Sequence, residues 1–498
     1  MRLFQIIRPR LMVSISLGVG VTLFSGVVSS LHASEVNVTN DPSHRWGEQR
    51  IAVNPKNPNN IVMATVGTGS TTECQAHSPD CQLVSADLGL GIKIQQSRGM
   101  FTNPDFTVVA AFVSFDRGKT WKRAHIPVIP AGYPDLSMPM PGDPCVTVTP
   151  DGTFYFSFDD LNWGTPEHGL PSAGVGVVKS TDGGLSWTGP VLTGTPVDGP
   201  SIVADTNTGT VYAASSTYLG PRSTGDAKAP QGKINTRWLA SSMDGVHWTT
   251  PQPMGGFAVS STAAHGVLAT AFKTTGQNGM FSAANNELCG DKPAPCMIFE
   301  TTKDSGATWS RHVMAVAIPS GSQVPDQPLV AADPAKEGHF AVAVPMEGKG
   351  YNVYRTRDAG NTWSGPAIVS EDSSKRHYHG ALAFSRRGIL GLMWRTSQPK
   401  AGETATAPAD VPGVWPGFPY NVWAAVSRDG GATFSEPLKV SGEDSPAPQP
   451  GQFASSGDDY SSIAVDADYV YVGWAAWRPV ERQNFFNALK LEEFKLKR

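Results

Sequence analysis

The chain has 498 residues, a formal net charge of −4, 16% charged residues, 52 Gly and 40 Pro. That length holds a large core, and the turn-forming composition excludes a helical bundle or coiled coil and points to a β protein. No basic patch interleaved with aromatics is present, which excludes a nucleic-acid-binding surface of the usual kind.

Residues 1–34 read as a targeting segment. Arg2, Arg8 and Arg10 precede an uncharged run from Leu11 to Val28, and Ala33 offers a cleavage point. The expectation is a secreted, periplasmic or cell-surface protein with a cleaved signal peptide; an N-terminal membrane anchor is the alternative. Loss of the three arginines would take the charge from −4 to −7. Residues 35–498 are then expected to form one domain.

Apolar runs that read as first (innermost) strands begin near Ile51, Cys145, Ile202, Phe257, Leu329, Ala381 and Ile463. Between them one short sequence returns. It reads Ser114-x-Asp116-x-Gly118-x-x-Trp121, then Ser180, Asp182, Gly184 and Trp187. A shortened copy has Ser242, Asp244, Gly245 and Trp248. Thr302, Asp304, Gly306 and Trp309 follow, then Thr356, Asp358, Gly360 and Trp363, and last Ser427, Asp429, Gly431 and Phe434. Each copy lies between two apolar runs. The hydroxyl and carboxylate can bond the backbone of a tight turn, Gly supplies positive φ, and the aromatic ring anchors it. Six returns at intervals of tens of residues predict a repeated four-stranded unit, and hence an all-β propeller. The last unit lacks a fourth strand, which the run Glu35 to Asn40 can supply by pairing the two chain ends. Seven first strands point to seven four-stranded blades, with six as the alternative.

The repeated turn resembles the Asp-box (BNR) motif, and the chain resembles the sialidase/neuraminidase superfamily of propellers over nearly all of residues 35–498. The resemblance implies a six-bladed fold and an exported glycoside hydrolase. The box itself is structural. Two segments are similar to sialidase catalytic motifs. Arg50-Ile51-Ala52 resembles the Arg-Ile-Pro whose Arg binds the substrate carboxylate, with Ala52 in place of Pro. Tyr460-Ser461-Ser462-Ile463 resembles the late segment that carries a nucleophilic tyrosine. The resemblance thus implies Arg50 as a clamp and Tyr460 as a nucleophile. A tyrosine of pKa near 10 needs a carboxylate to take its proton, and Asp458, two residues away on an alternating strand, is the expected partner. The Glu that sialidases place on a mid-chain inner strand has no counterpart between Phe257 and Ser261. That departure puts true exo-sialidase activity in doubt.

Independently of resemblance, polar groups gather at first-strand starts and second-strand ends. Asp143, Asp198 and Asp326 are candidate acid/base groups, although Asp-Pro and Asp-x-Pro are also ordinary turn chemistry. Arg395, Arg376 and His379 are candidate substrate contacts, and Trp394 and Trp474 are candidate sugar platforms or core residues. Connections near 67–105, 159–173, 217–234, 274–294 and 396–419 are long enough to wall a cleft on the same face. Cys74 with Cys81, and Cys289 with Cys296, are expected disulfides in an exported chain, which leaves Cys145 as a buried thiol. No cofactor is expected; a ring of Asp could alternatively hold structural Ca²⁺. The expected partner is a carbohydrate, an anionic one if the arginines form a clamp. The expected activity is glycoside hydrolysis, with a non-catalytic glycan- or protein-binding propeller and a polysaccharide lyase as alternatives.

Overall fold

The computed structural model describes residues 35–42, 44–70, 105–128, 141–160, 175–195, 200–216, 237–254, 258–261, 268–273, 297–314, 329–346, 350–370, 376–397, 419–446, 460–478 and 482–496. Apart from a single 3-10 turn at Leu491–Glu493, the regular structure among them is β-strand.

The strands form seven four-stranded antiparallel sheets. The first holds β2 (Arg45–Val53), β3 (Ile61–Ser70), β4 (Asp105–Ser114) and β5 (Lys122–His125). The second holds β6 (Pro141–Val148), β7 (Phe154–Asp160), β8 (Val175–Ser180) and β9 (Val191–Leu192). The third holds β10 (Ser201–Ala204), β11 (Val211–Ser216), β12 (Arg237–Ser242) and β13 (Gln252–Met254). The fourth holds β14 (Ala258–Ser261), β15 (Leu268–Lys273), β16 (Met297–Thr302) and β17 (Ser310–Met314). The fifth holds β18 (Leu329–Ala332), β19 (Phe340–Met346), β20 (Gly350–Thr356) and β21 (Ser364–Ile368). The sixth holds β22 (Arg376–Phe384), β23 (Leu390–Ser397), β24 (Tyr420–Ser427) and β25 (Leu438–Lys439). These six carry the repeated turn between their third and fourth strands. The last sheet is shared by the two ends of the chain: β26 (Ser462–Val465), β27 (Tyr469–Trp477) and β28 (Arg482–Lys490) are completed by β1 (Val36–Asn37). Val36 faces Phe486 and Asn37 faces Phe485, so the run expected to close the last unit does so. The first strands neighbour one another in a circle, β2 beside β6, then β10, β14, β18, β22 and β26, which returns to β2. The chain is therefore a β-propeller of four-stranded blades.

The six turns hold themselves by the bonds their residue types allow. In the second sheet, Ser180 Oγ donates to Asp182 Oδ1 at 2.8 Å and accepts the Gly184 N–H at 2.9 Å. Ser186 closes on the other carboxylate oxygen, and Trp187 Nε1 donates to Gly184 O at 2.9 Å. Gly184 stands at φ 98°, and a Cβ there would meet Val62 of the preceding blade at 2.6 Å. The same set recurs in the fourth sheet through Thr302, Asp304, Gly306, Thr308 and Trp309. Between blades the apolar faces interlock: Ala52, Val62 and Val113 of the first sheet pack with Phe154, Phe156 and Val178 of the second. Each of these valines and phenylalanines contributes about 1.5–3 kcal/mol when fully buried.

Three first strands start earlier than their apolar runs. β2, β6 and β22 each contain a bulge: the pairing shifts between Gly47 and Arg50, between Gly142 and Cys145, and between Tyr378 and Ala381. Asp143-Pro144 is thus inside a bulged strand and is not a turn before one. A bulge leaves its extra residue outside the ladder, which is where a proline without an N–H is tolerated.

Cys145 is a buried free thiol, its Sγ 3.7 Å from Ile202 O. Cys74, Cys81, Cys289 and Cys296 lie outside the described residues, as do residues 1–34 and most of each long connection expected to wall the cleft. Among the described residues no helix is long and apolar enough to cross a membrane.

Candidate functional site

The three bulges do more than lengthen strands. At each, two residues oppose one, and the first of the two adopts a left-handed backbone without being glycine: Glu48 (φ 48°), Asp143 (φ 43°) and His379 (φ 48°). Such conformations cost of order 1–3 kcal/mol each and persist where the surrounding structure over-determines them. They break the in-out alternation and re-aim the side chain. β22, β26, β2 and β6 are consecutive around the circle, so bulges stand on three of four neighbouring blades.

Tyr460 sits just before β26, at the centre of that arc. Its phenol donates to Asp143 Oδ1 at 3.1 Å. The Arg50 guanidinium lies over its ring, 4.1 Å from the centroid, a stacking worth about 0.5–2 kcal/mol. The main chain of Tyr460 and Ser461 is held from both sides. From the first blade, Gln49 Nε2 donates to Tyr460 O at 3.2 Å and Arg50 Nη1 donates to Ser461 O at 3.0 Å. From the sixth blade, Arg395 Nη2 donates to Tyr460 O at 3.1 Å and Arg395 Nε to Ser461 Oγ at 3.0 Å. Gln49 also donates to Gly473 O at 2.9 Å, and a Cβ at Gly473 would crowd Gln49 Oε1 at 2.7 Å. Glu48 Oε2 accepts the Asp143 N–H at 3.0 Å, joining the first blade to the second.

The structure therefore brings together Arg50, Asp143, Arg395 and Tyr460, four residues singled out from separate parts of the chain. Arg50, Asp143 and Tyr460 are partly exposed. Arg395 is fully buried, and its guanidinium bonds the Tyr460–Ser461 segment and lies over the face of Tyr420, 5.1 Å from the ring centroid. It is turned into the protein, contrary to its expected place as a substrate clamp. Trp394 and Trp474, at 2% and 0% exposure, are core residues with no face open to a sugar; Trp474 stacks on Phe485 at 6.1 Å. His379 is buried edge-on against Tyr378 at 4.9 Å. Asp198, Asp326 and Asp458 lie outside the described residues, and so does the side chain of Arg376, whose backbone opens β22 opposite Ser397. Among the described residues, the carboxylate that faces Tyr460 is Asp143, from the second blade; Asp458, the expected partner, lies outside them.

Glu48 and Gln49 were not singled out from sequence. The signal was present but needed the register: Glu48 stands two residues before Arg50 as Asp143 stands two before Cys145, each at the start of a bulge. Among the described residues no group of three or more His, Cys, Asp or Glu is arranged to hold a metal ion.

Chemically, the arrangement offers a phenol whose proton already points at a carboxylate, with a guanidinium alongside. That is the geometry an activated oxygen nucleophile needs: nucleophile and base within bonding reach, the nucleophile itself fixed.

Among comparisons with known proteins, no family model matches the chain, and no curated protein matches it. Solved structures do. A Hadza microbial sialidase is similar over 78% of this chain and 74% of its own, at 17% identity and a TM-score of 0.41. An α-L-arabinofuranosidase from Fusarium graminearum, determined with an iminosugar inhibitor, is similar over 74% of this chain and 93% of its own, at 13% identity and a TM-score of 0.39. Trypanosoma rangeli sialidase, in complex with sialic acid, is similar over 75% of this chain and 56% of its own, at 12% identity and a TM-score of 0.39. Sialidases and other propeller glycosidases are thus structural neighbours. At such identity the likeness is one of fold, and no residue's role is carried over from it.

Proposed function

We propose that the protein is a glycoside hydrolase acting on an extracellular glycan, with Tyr460 as nucleophile and Asp143 as the base that takes its proton. The observation that carries the reading is the 3.1 Å bond from the Tyr460 phenol to Asp143 beneath the Arg50 guanidinium. A phenol at its ordinary pKa near 10 is a weak nucleophile at neutral pH, and a fixed carboxylate at bonding distance removes that handicap. In the first step the Tyr460 oxygen attacks the anomeric carbon while its proton passes to Asp143. The glycosidic C–O bond breaks with its electron pair on the departing oxygen, which takes a proton from a second carboxylic acid. Asp198 and Asp326 are the candidates for that acid on sequence grounds. Water then attacks the anomeric carbon, gives a proton to the second carboxylate, which restores that acid, and releases Tyr460 as its phenolate, which takes its proton back from Asp143. Arg50, half-buried and beside the phenol, is the candidate to meet a negatively charged group on the sugar.

The test is release of sugar from a panel of sialosides, neutral aryl glycosides and plant and bacterial polysaccharides. Tyr460→Phe and Asp143→Asn should each abolish turnover and leave the fold intact. Turnover that survives in both variants would falsify the assignment. Saturable binding without release by the unmodified protein would favour a glycan-binding propeller instead, and products absorbing in the ultraviolet would indicate a lyase.

A further inference from the structure

We infer that Glu48 is a positioning residue: its carboxylate fixes the backbone of Asp143 and thereby the distance at which Asp143 meets Tyr460. The inference rests on the reading of Tyr460 and Asp143 given above and extends it to a residue of a third blade.

The bulge in β6 sets two residues, Asp143 and Pro144, opposite Phe158, because Gly142 pairs with Asp159 and Cys145 with Ser157. Pro144 has no N–H, and the Asp143 N–H is turned out of the ladder by the left-handed backbone at φ 43°. That N–H is taken up by Glu48 Oε2 at 3.0 Å. Glu48 can reach it because it stands at the matching point of the neighbouring strand, in the same left-handed conformation at φ 48°. The two strained residues are therefore one device. A bulge in β2 throws the Glu48 side chain across to β6, and a bulge in β6 presents the donor that receives it. Strain of this kind gathers where a site needs exact placement.

The same short segment of β2 also holds the other partner. Glu48 bonds Asp143, Gln49 bonds Tyr460 O, and Arg50 bonds Ser461 O and covers the Tyr460 ring. Three consecutive residues of one blade thus bridge the blade that carries the base and the blade that carries the phenol. What matters at Glu48 on this account is the reach of an acceptor oxygen to Asp143 N, and the charge is secondary. A glutamine keeps an acceptor oxygen at the same distance; an aspartate keeps the charge and, one methylene shorter, loses the reach.

The experiment separates the two. The hydrogen-bonding state of the Tyr460 phenol is read from the tyrosine Fermi doublet by ultraviolet resonance Raman spectroscopy. In each background the spectrum is taken as a difference against the same protein carrying Tyr460→Phe. Asp143→Ala should shift the doublet, which establishes the pair. Glu48→Asp should shift it in the same direction, and Glu48→Gln should leave it as in the unmodified protein. On an active preparation, Glu48→Asp should lower turnover roughly tenfold, as expected for loss of one hydrogen bond that fixes the base, and Glu48→Gln should stay within about twofold. An unchanged doublet in Glu48→Asp, or a shift in Glu48→Gln as large as that in Glu48→Asp, would overturn the positioning role. These results would leave the Tyr460–Asp143 pair standing. An unchanged doublet in Asp143→Ala would instead remove the pair itself, and with it the proposed nucleophile.

Discussion

Replacing Arg395 by methionine tests whether this buried arginine is a strut for Tyr460. The substitution keeps most of the apolar stem and deletes the guanidinium. Among the described residues, the bonds from this charged donor to Tyr460 O and Ser461 Oγ are lost, each worth about 1.5–3 kcal/mol. The losses are unequal in consequence. Tyr460 O keeps the Gln49 amide as a donor, whereas the Ser461 hydroxyl, on a residue only 3% exposed, loses the bond it accepts. Against this, the protein no longer buries a full charge, which returns part of the cost. The balance is a destabilisation of about 2–3 kcal/mol, measured as a lower urea midpoint in tryptophan fluorescence. Amide exchange at residues 460–462 should accelerate more than exchange elsewhere in the last sheet. A loss below about 0.5 kcal/mol with unchanged exchange at those amides would show that Arg395 does not hold the segment, and its expected place as a clamp would return.

The turn carboxylates make a prediction about acid. Bonds from the Thr308 hydroxyl and backbone and from Thr302 hold Asp304 down at about 2. At Asp182, burial pushes the other way, but bonds from Ser186, Ser180 and Leu185 outweigh it and again bring it to about 2. A folded pKa below the unfolded value near 3.9 means stability that is present above that value and lost as pH falls through 2. Asp182→Asn with Asp304→Asn should therefore flatten the acid limb of a stability–pH curve between about pH 4 and 2, and an unchanged slope would count against the turns as its source. Gly118→Ala should destabilise by about 2–3 kcal/mol in chemical unfolding. Gly118 stands at φ 84°, and a Cβ there would sit 2.1 Å from Phe486. Gly189→Ala, with nothing within 4 Å, should change stability by less than about 0.5 kcal/mol; equal effects would refute the contact. Tyr460→Phe should cost about 1 kcal/mol or less in the same assay, because Asp143 stays partly exposed to water.

What could be read from sequence was whatever is local. The turn at Ser180–Trp187 is legible because its bonds span at most a few residues, so its spacing is its structure. Residues at first-strand starts could be gathered to one end of the circle because first strands all run the same way. The bulges were not legible, because a register shift is a property of two strands, and Gly47-Glu48-Gln49-Arg50 contains nothing that marks it alone. For the same reason Asp143 could be read equally as an acid/base group or as turn chemistry, and Glu48 was passed over. Arg395, Trp394 and Trp474 show the other limit. Residue type fixes charge and size, but alternation in a strand whose every residue is buried, as in β23, does not say which neighbour a side chain meets.

The sheet shared by the two chain ends sets an order of events. β1 leaves the ribosome before the other described strands, and its partner β28 after them. Until residues 482–490 exist, β1 has no partner, the outer edge of β27 is unpaired and the last sheet is incomplete, the form in which β chains stick to one another. Expression conditions that stall or clip the final strand should therefore yield aggregate rather than a shorter soluble propeller.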